Sequence, residues 1–186
     1  ASQGQEVLWV PDRHLGSYIA NLSNASVYSW PGKCIVHASF ALEEIKKVKA
    51  EHPQALLLVH PEAPAEVVAL ADYVGSTSQI LSYAKSSAAC EFIIATEQNI
   101  FYKLQQACPD KIFIKAPILC NESYDRKTPS CPWMELNTLA KIVEALEKPQ
   151  GHEIFVEKNL RDAAMKPLER MLAFSDDVKS GKIKIS

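Results

Sequence analysis

One pattern governs what this chain can become. Over residues 1–115 a short apolar run, a polar loop and an amphipathic stretch recur in that order. Ala55–Val59 (ALLLV) and Phe92–Ala95 (FIIA) are unbroken apolar runs of strand length. Strands read this way when both faces are covered. Val27–Trp30 reads as a further short buried strand, and Val7–Val10, Asp72–Gly75 and Ile112–Ile114 as others. Between them apolar residues fall at helical spacing: Leu15, Tyr18 and Ile19, then Phe40, Leu42, Ile45 and Val48, then Ile80, Leu81 and Tyr83. The alternation predicts an α/β fold, a three-layer αβα arrangement with a parallel sheet between helices. Ligands of such sheets gather outside the carboxyl ends of the strands. The loops there hold Asp12 to His14, Cys34, His60 with Glu62, Ser76 to Ser78, and Thr96 with Glu97.

Local signals set the remaining boundaries. The helix after Cys34 is predicted to run to about Glu51, with Pro53 stopping it. Pro64 suits the first turn of the next helix, and Thr96 is the predicted N-cap of the helix bearing Ile100 and Leu104. Residues 120–131 lack periodicity and read as a surface loop. Cys131-Pro132 then opens a helix carrying Leu136, Leu139, Ile142, Val143 and Leu146. Glu153–Val156 is a predicted last strand. Leu160–Phe174 is helical, with Pro167 ending one helix or starting the next, and the final KSGKIKIS is frayed.

Composition narrows the class. With 47% hydrophobic and 23% charged residues and a net charge of −2, the chain favours neither nucleic acid nor an anionic membrane as partner. No apolar run reaches bilayer-spanning length. Five cysteines are an odd set that argues against a disulfide framework and suits the cytoplasm. No acidic cluster follows the first strand, which disfavours a response-regulator-like domain.

Several residues are of a type that carries chemistry. Cys34 and Cys131 are each placed near a helix N-terminus, where the field favours the thiolate that binds metal or attacks an electrophile. The set lacks a CxxC pair, so two thiolates suit iron–sulfur ligation better than zinc; the alternative is two separately packed cysteines. His60 and Glu62 share one loop, either as an acid–base pair or as a hydrogen-bonded histidine beside a helix-start carboxylate. Gly75 to Ser78 reads as an anion site or as a capped turn. His37 orients a ligand or packs, and His14 meets an anion or solvent. Cys90 and Cys108 receive no role.

Taken together, WPGKCIVH, LLVHPEAP, DYVGSTSQI, FIIATE and CPWMELNTL resemble quinolinate synthase, the bacterial A-protein family of NAD biosynthesis. VPDRHLGSYIA and AMKPLERML match the same pattern. The resemblance implies similar α/β domains around a pseudo-threefold axis and a [4Fe–4S] cluster held by one cysteine from each third, with one iron left open as a Lewis acid. It implies condensation of iminoaspartate with dihydroxyacetone phosphate to quinolinate. By motif, Cys34 and Cys131 are cluster ligands, Glu62 and His60 the catalytic pair, Ser76 and Thr77 the hydroxyls that bind substrate, and His37 a supporting residue. It divides the chain into the end of a preceding domain (1–33), a complete α/β domain (34–115) and a closing segment with the last cluster cysteine (116–186). The N-terminal part of the family pattern, with the first ligand cysteine and the pocket tyrosines, is missing, which makes this chain alone inactive and a partner of that missing portion. Cys120 is a conceivable substitute ligand. Where some relatives carry CxxCxxC, this chain has Asp125 and Thr128, so a redox disulfide there is excluded. The rival expectation is a truncated, non-catalytic remnant that binds small anions but holds no cluster.

Overall fold

The computed structural model describes residues 6–23, 25–119 and 126–183. The chain forms two compact units, Ala1–Leu136 and Asn137–Ser186, each taken here by itself.

The larger unit opens with β1 (Val7–Trp9), α1 (Arg13–Ser23) and β2 (Val27–Ser29), the two strands pairing in parallel. A second sheet follows, built from β3 (Leu56–Val59), β4 (Tyr73–Val74), β5 (Glu91–Ala95) and β6 (Ile112–Lys115). Its order is β4-β3-β5-β6, all parallel. Strand alternation divides its core in two. Leu57 and Val59 of β3 and Ile93 and Ala95 of β5 face one cluster, closed by Ile45 of α2 (Leu42–Glu51) and Val67 of α3 (Ala65–Leu70). Leu58, Phe92 and Ile94 face the other, closed by Ile80 and Ala84 of α4 (Thr77–Ser86) and by Ile100 and Leu104 of α5 (Ile100–Ala107). Two buried faces explain why ALLLV and FIIA show no polar alternation. The predicted three-layer αβα fold is what forms.

This topology makes a crevice. The chain leaves β3 toward β4 over one face and leaves β5 toward β6 over the other. β3 and β5 are neighbours, so their carboxyl ends flank the switch point where such sheets bind ligands.

Several expected elements differ. Val27–Trp30 is not buried: Tyr28 is 60% exposed and Trp30 57%, because among the described residues β1 is the one strand that pairs with β2. The helix expected straight after Cys34 is broken into a 3-10 turn (His37–Ser39) and then α2. Phe40 is extended there, pairing antiparallel with Ile118, while Ala41 N–H donates to Pro117 O and Leu119 N–H to Ser39 O. That segment beyond β6 pulls the backbone out of helical geometry. The helix expected from Cys131 likewise splits into a 3-10 turn (Met134–Leu136) and α6 (Leu139–Glu147), whose N-cap is Thr138.

In the smaller unit, α6 and α7 (Lys158–Lys179) are capped by Thr138 and Glu157 side chains. Glu153–Val156 is not a strand, and Ile154 and Phe155 are about nine-tenths exposed. A strand needs a neighbour, and the described residues of this unit offer none. Pro167 neither ends nor starts a helix; α7 passes through it at the cost of one backbone hydrogen bond. The helix stops at Ser180, and Gly181 takes the left-handed φ of 76° that follows. No residue among those described in this unit is buried. No helix among the described residues is long and apolar enough to cross a membrane.

Gly16 fixes how α1 sits on the first sheet. A Cβ there would lie 2.4 Å from Ser29 Oγ and 2.7 Å from Trp9 Cδ1. Gly16→Ala is therefore expected to cost about 1–3 kcal/mol by overpacking. Urea unfolding followed by circular dichroism checks this; an unchanged midpoint would mean that α1 lifts away freely.

Candidate metal and substrate site

The site begins where β2 ends. Pro31 and Gly32 break the strand, and Gly32 O accepts from Arg13 N–H at 2.9 Å. Asp12, 4% exposed, holds the two segments together. Its Oδ1 accepts from Leu15 N–H and its Oδ2 from Cys34 N–H, each at 2.8 Å. Cys34 is half-buried. Because no α-helix starts at this residue, the expected helix field is not what tunes the thiol. Burial pushes the Cys34 thiol up, but hydrogen bonding to His37 and its charge outweigh this, and the net pKa is lowered.

His37 spans the crevice. Its Nδ1 meets Glu62 Oε2 at 2.9 Å, in the loop after β3, and its Nε2 meets Thr96 Oγ1 at 3.0 Å, just past β5. Burial lowers its pKa, but the Cys34 thiol and the Glu62 carboxylate raise it further, to about 9. Protonated, the ring donates from both nitrogens. Glu62 is held below the usual carboxylate range by that hydrogen bond, against the opposing effect of burial. His60 stacks on His37 with centroids 4.2 Å apart and planes 9° from parallel. Burial, then the neighbouring His37 charge, lower its pKa to about 4. Glu62 N–H donates to His60 Nδ1 at 3.3 Å, so neutral His60 carries its proton on Nε2. In the metal-free protein, long-range 1H–15N spectra near pH 6.5 are expected to show His37 as imidazolium and His60 as the neutral Nε2–H tautomer. Two rings titrating together near 6.5 would sink this assignment.

Thr96 does not cap the following helix, as its sequence position suggested. α5 starts at Ile100 with Asn99 at its N-cap, and the buried Thr96 hydroxyl is given to His37. Glu97 braces the turn that leads into the helix: its Oε2 accepts from the N–H of Asn99, the N-cap residue, at 2.8 Å. Its Oε1 accepts from Asn99 Nδ2 at 3.0 Å and from Cys131 N–H at 3.4 Å. Gln98 N–H donates to Pro129 O at 2.7 Å, so the Cys131 loop is pinned twice to the end of β5.

Two hollows open here. One of about 290 Å3 is lined by Asp12, Trp30, Lys33, Cys34 and Glu62. The other, of about 370 Å3, is lined by His37, Thr77, Ser78, Thr96, Lys103 and Met134 among others. His37 touches the groups of both. Of the predicted hydroxyls, Thr77 lines the second hollow together with Ser78. Ser76 is engaged in a capping box with Gln79 at the start of α4.

The structure thus brings Cys34, His37 and Glu62 together: their donor atoms lie within 4.8 Å of one another. Cys131 is linked to them through Glu97 and Thr96. Asp12, Thr96 and Glu97 carry more of the site than their types suggested, and position just past a strand end was their one signal. Cys120 and Asp125 lie outside the described residues. Cys90 precedes β5 and Cys108 follows α5, both at the opposite end of the strands.

The donors suit an iron–sulfur cluster in kind. Both ring nitrogens of His37 are committed to hydrogen bonds, which leaves the Cys34 thiol as the donor of this group suited to such a cluster. Cys34 and Cys131 are both half-buried, and a third thiolate at this end is not among the described residues. A family profile described as NadA, quinolinate synthetase A protein, matches residues 1–173.

Proposed function

The chain belongs to the quinolinate synthetase A family, and from that premise we propose that it takes part in forming quinolinate from iminoaspartate and dihydroxyacetone phosphate, as a cytoplasmic enzyme of NAD biosynthesis. The observation that carries this reading is the family match over residues 1–173. The Cys34, His37 and Glu62 group at the switch point supports it. On this reading residues 34–115 are one complete domain of a pseudo-threefold assembly, 1–33 end the preceding one and 116–186 close the ring.

Cys34 and Cys131 would hold a [4Fe–4S] cluster together with one further thiolate. When bound, it would supply an iron without a protein ligand, a Lewis acid for polarising a hydroxyl or carbonyl. The chain's own residues handle position and protons. The ionised carboxylate of Glu62 accepts a proton from substrate carbon or oxygen, and the His37 imidazolium behind it keeps it ionised until then. His60, neutral with its Nδ1 accepting from the Glu62 N–H, presents Nε2–H as a donor. Thr77, with Ser78 beside it, lines the second hollow with hydroxyls for carboxylate or phosphate oxygens, and Ser76 sets the helix start that places them. Thr96 accepts from His37 and so has its own O–H free to donate.

Anaerobic reconstitution with iron and sulfide, with the family's N-terminal portion supplied in trans, tests the proposal. A brown species absorbing in the visible, and quinolinate formed from both substrates, are the expected results. Folded protein that takes up no cluster and forms no quinolinate would favour an anion-binding remnant instead.

A further inference from the structure

Asp12 and Glu97 do the same thing at two distant places in the chain. Each follows closely on the end of a strand, β1 for Asp12 and β5 for Glu97. Each is buried, 4% and 9% exposed. Each spends one carboxylate oxygen on the start of a helix: Asp12 Oδ1 on Leu15 N–H of α1, Glu97 Oε2 on Asn99 N–H at the cap of α5. Each sets the other against the backbone N–H of a cysteine from a separate loop: Asp12 Oδ2 accepts from Cys34 N–H at 2.8 Å, and Glu97 Oε1, which also accepts from Asn99 Nδ2 at 3.0 Å, accepts from Cys131 N–H at 3.4 Å. A helix cap needs only the first of these bonds. Burying a carboxylate is costly unless donors satisfy it, and in both places the amide of a cysteine is among those donors.

We propose that Asp12 and Glu97 are a matched pair of positioning residues, each clamping the backbone of one ligand cysteine to a helix start, so that the spacing of the two thiols is set before any metal arrives. The inference rests on the reading of Cys34 and Cys131 as ligands. It extends that reading to how the site is preorganised. The clamps hold the two loops by main-chain donors, not through sulfur. Between the clamps lies the bond from His37 to Thr96, which ties the Cys34 turn to the same strand end that carries Glu97.

The test uses the metal-free chain and brief native alkylation, with Cys34 and Cys131 read separately by mass spectrometry. Asp12→Ala is expected to speed labelling of Cys34 about tenfold, the loss of one charge-assisted hydrogen bond, and to leave Cys131 unchanged. Glu97→Ala is expected to do the reverse by a smaller factor, because its bond to Cys131 N–H is the longer one at 3.4 Å. Asp12→Asn and Glu97→Gln keep one acceptor oxygen and should restore part of the protection, which general loosening would not allow. An alanine variant that speeds both cysteines alike, or leaves its own unchanged, overturns the proposal. Should an alanine variant not fold, the asparagine or glutamine variant decides by the same selectivity. Loading with iron and sulfide then separates the two readings. With the family's N-terminal portion supplied in trans to complete the ligand set, selective labelling without cluster formation removes the ligand assignment alone, and a cluster formed with unselective labelling removes the clamps alone.

Discussion

Glu62→Gln is expected to lower quinolinate formation by the reconstituted enzyme about 10²- to 10⁴-fold, the usual contribution of a positioned acid–base group. The amide is nearly isosteric and keeps an oxygen facing His37 Nδ1, so the bond now at 2.9 Å survives in neutral form. What disappears is the negative charge. Glu62 is the second hydrogen-bonding influence that raises the His37 pKa toward about 9, after the Cys34 thiol. Its loss therefore takes away the base and weakens the imidazolium beside the thiol. The variant should load metal as the parent does, since no thiol is changed, and the deficit should fall on kcat at equal cluster content. Rates measured per cluster, from visible absorbance, check this. A variant that turns over at the parental rate would remove Glu62 from the catalytic role.

The second large effect concerns the core beneath the crevice. Phe92 is fully buried, its ring stacked on Phe113 at 5.7 Å between centroids and approached by Lys111 Nζ at 5.4 Å. Phe92→Ala leaves a cavity among Leu58, Ile80 and Leu104 and is expected to cost about 3–5 kcal/mol. Lys111 would suffer less, because its ammonium also donates to Ala84 O and Ser87 O at 2.7 Å each. Urea unfolding of the larger unit gives the number. A cost below about 1.5 kcal/mol, the range of a tolerated swap, would show that α4 and α5 collapse onto the sheet and fill the gap.

Strands with both faces covered were legible because burial leaves a direct mark on residue type. ALLLV and FIIA fall at β3 and β5 for that reason. Elements that depend on a distant partner left no such mark. VYSW and EIFV have strand composition alike, yet the first pairs only with β1 and the second with nothing described. The 3-10 turn after Cys34 depends on residues 117–119, which no local reading of residues 34–41 reveals. At the candidate site, the loops carrying Cys34, His60, Glu62, Thr96 and Glu97 could be named from position relative to strands. Who bonds to whom could not. A threonine before a helix is ordinarily a cap, and only the approach of His37 across the switch point redirects Thr96.

The antiparallel bridge between Phe40 and Ile118 bears on the order of events in biosynthesis. As the chain emerges amino end first, the turn bearing residue 34 is made early, yet the latch that shapes it arrives only after the whole four-stranded sheet has been synthesised. Metal delivered to a nascent chain would meet a thiol whose turn is not yet shaped. A circular permutant that begins at the latch, bringing it out first, would relieve that wait.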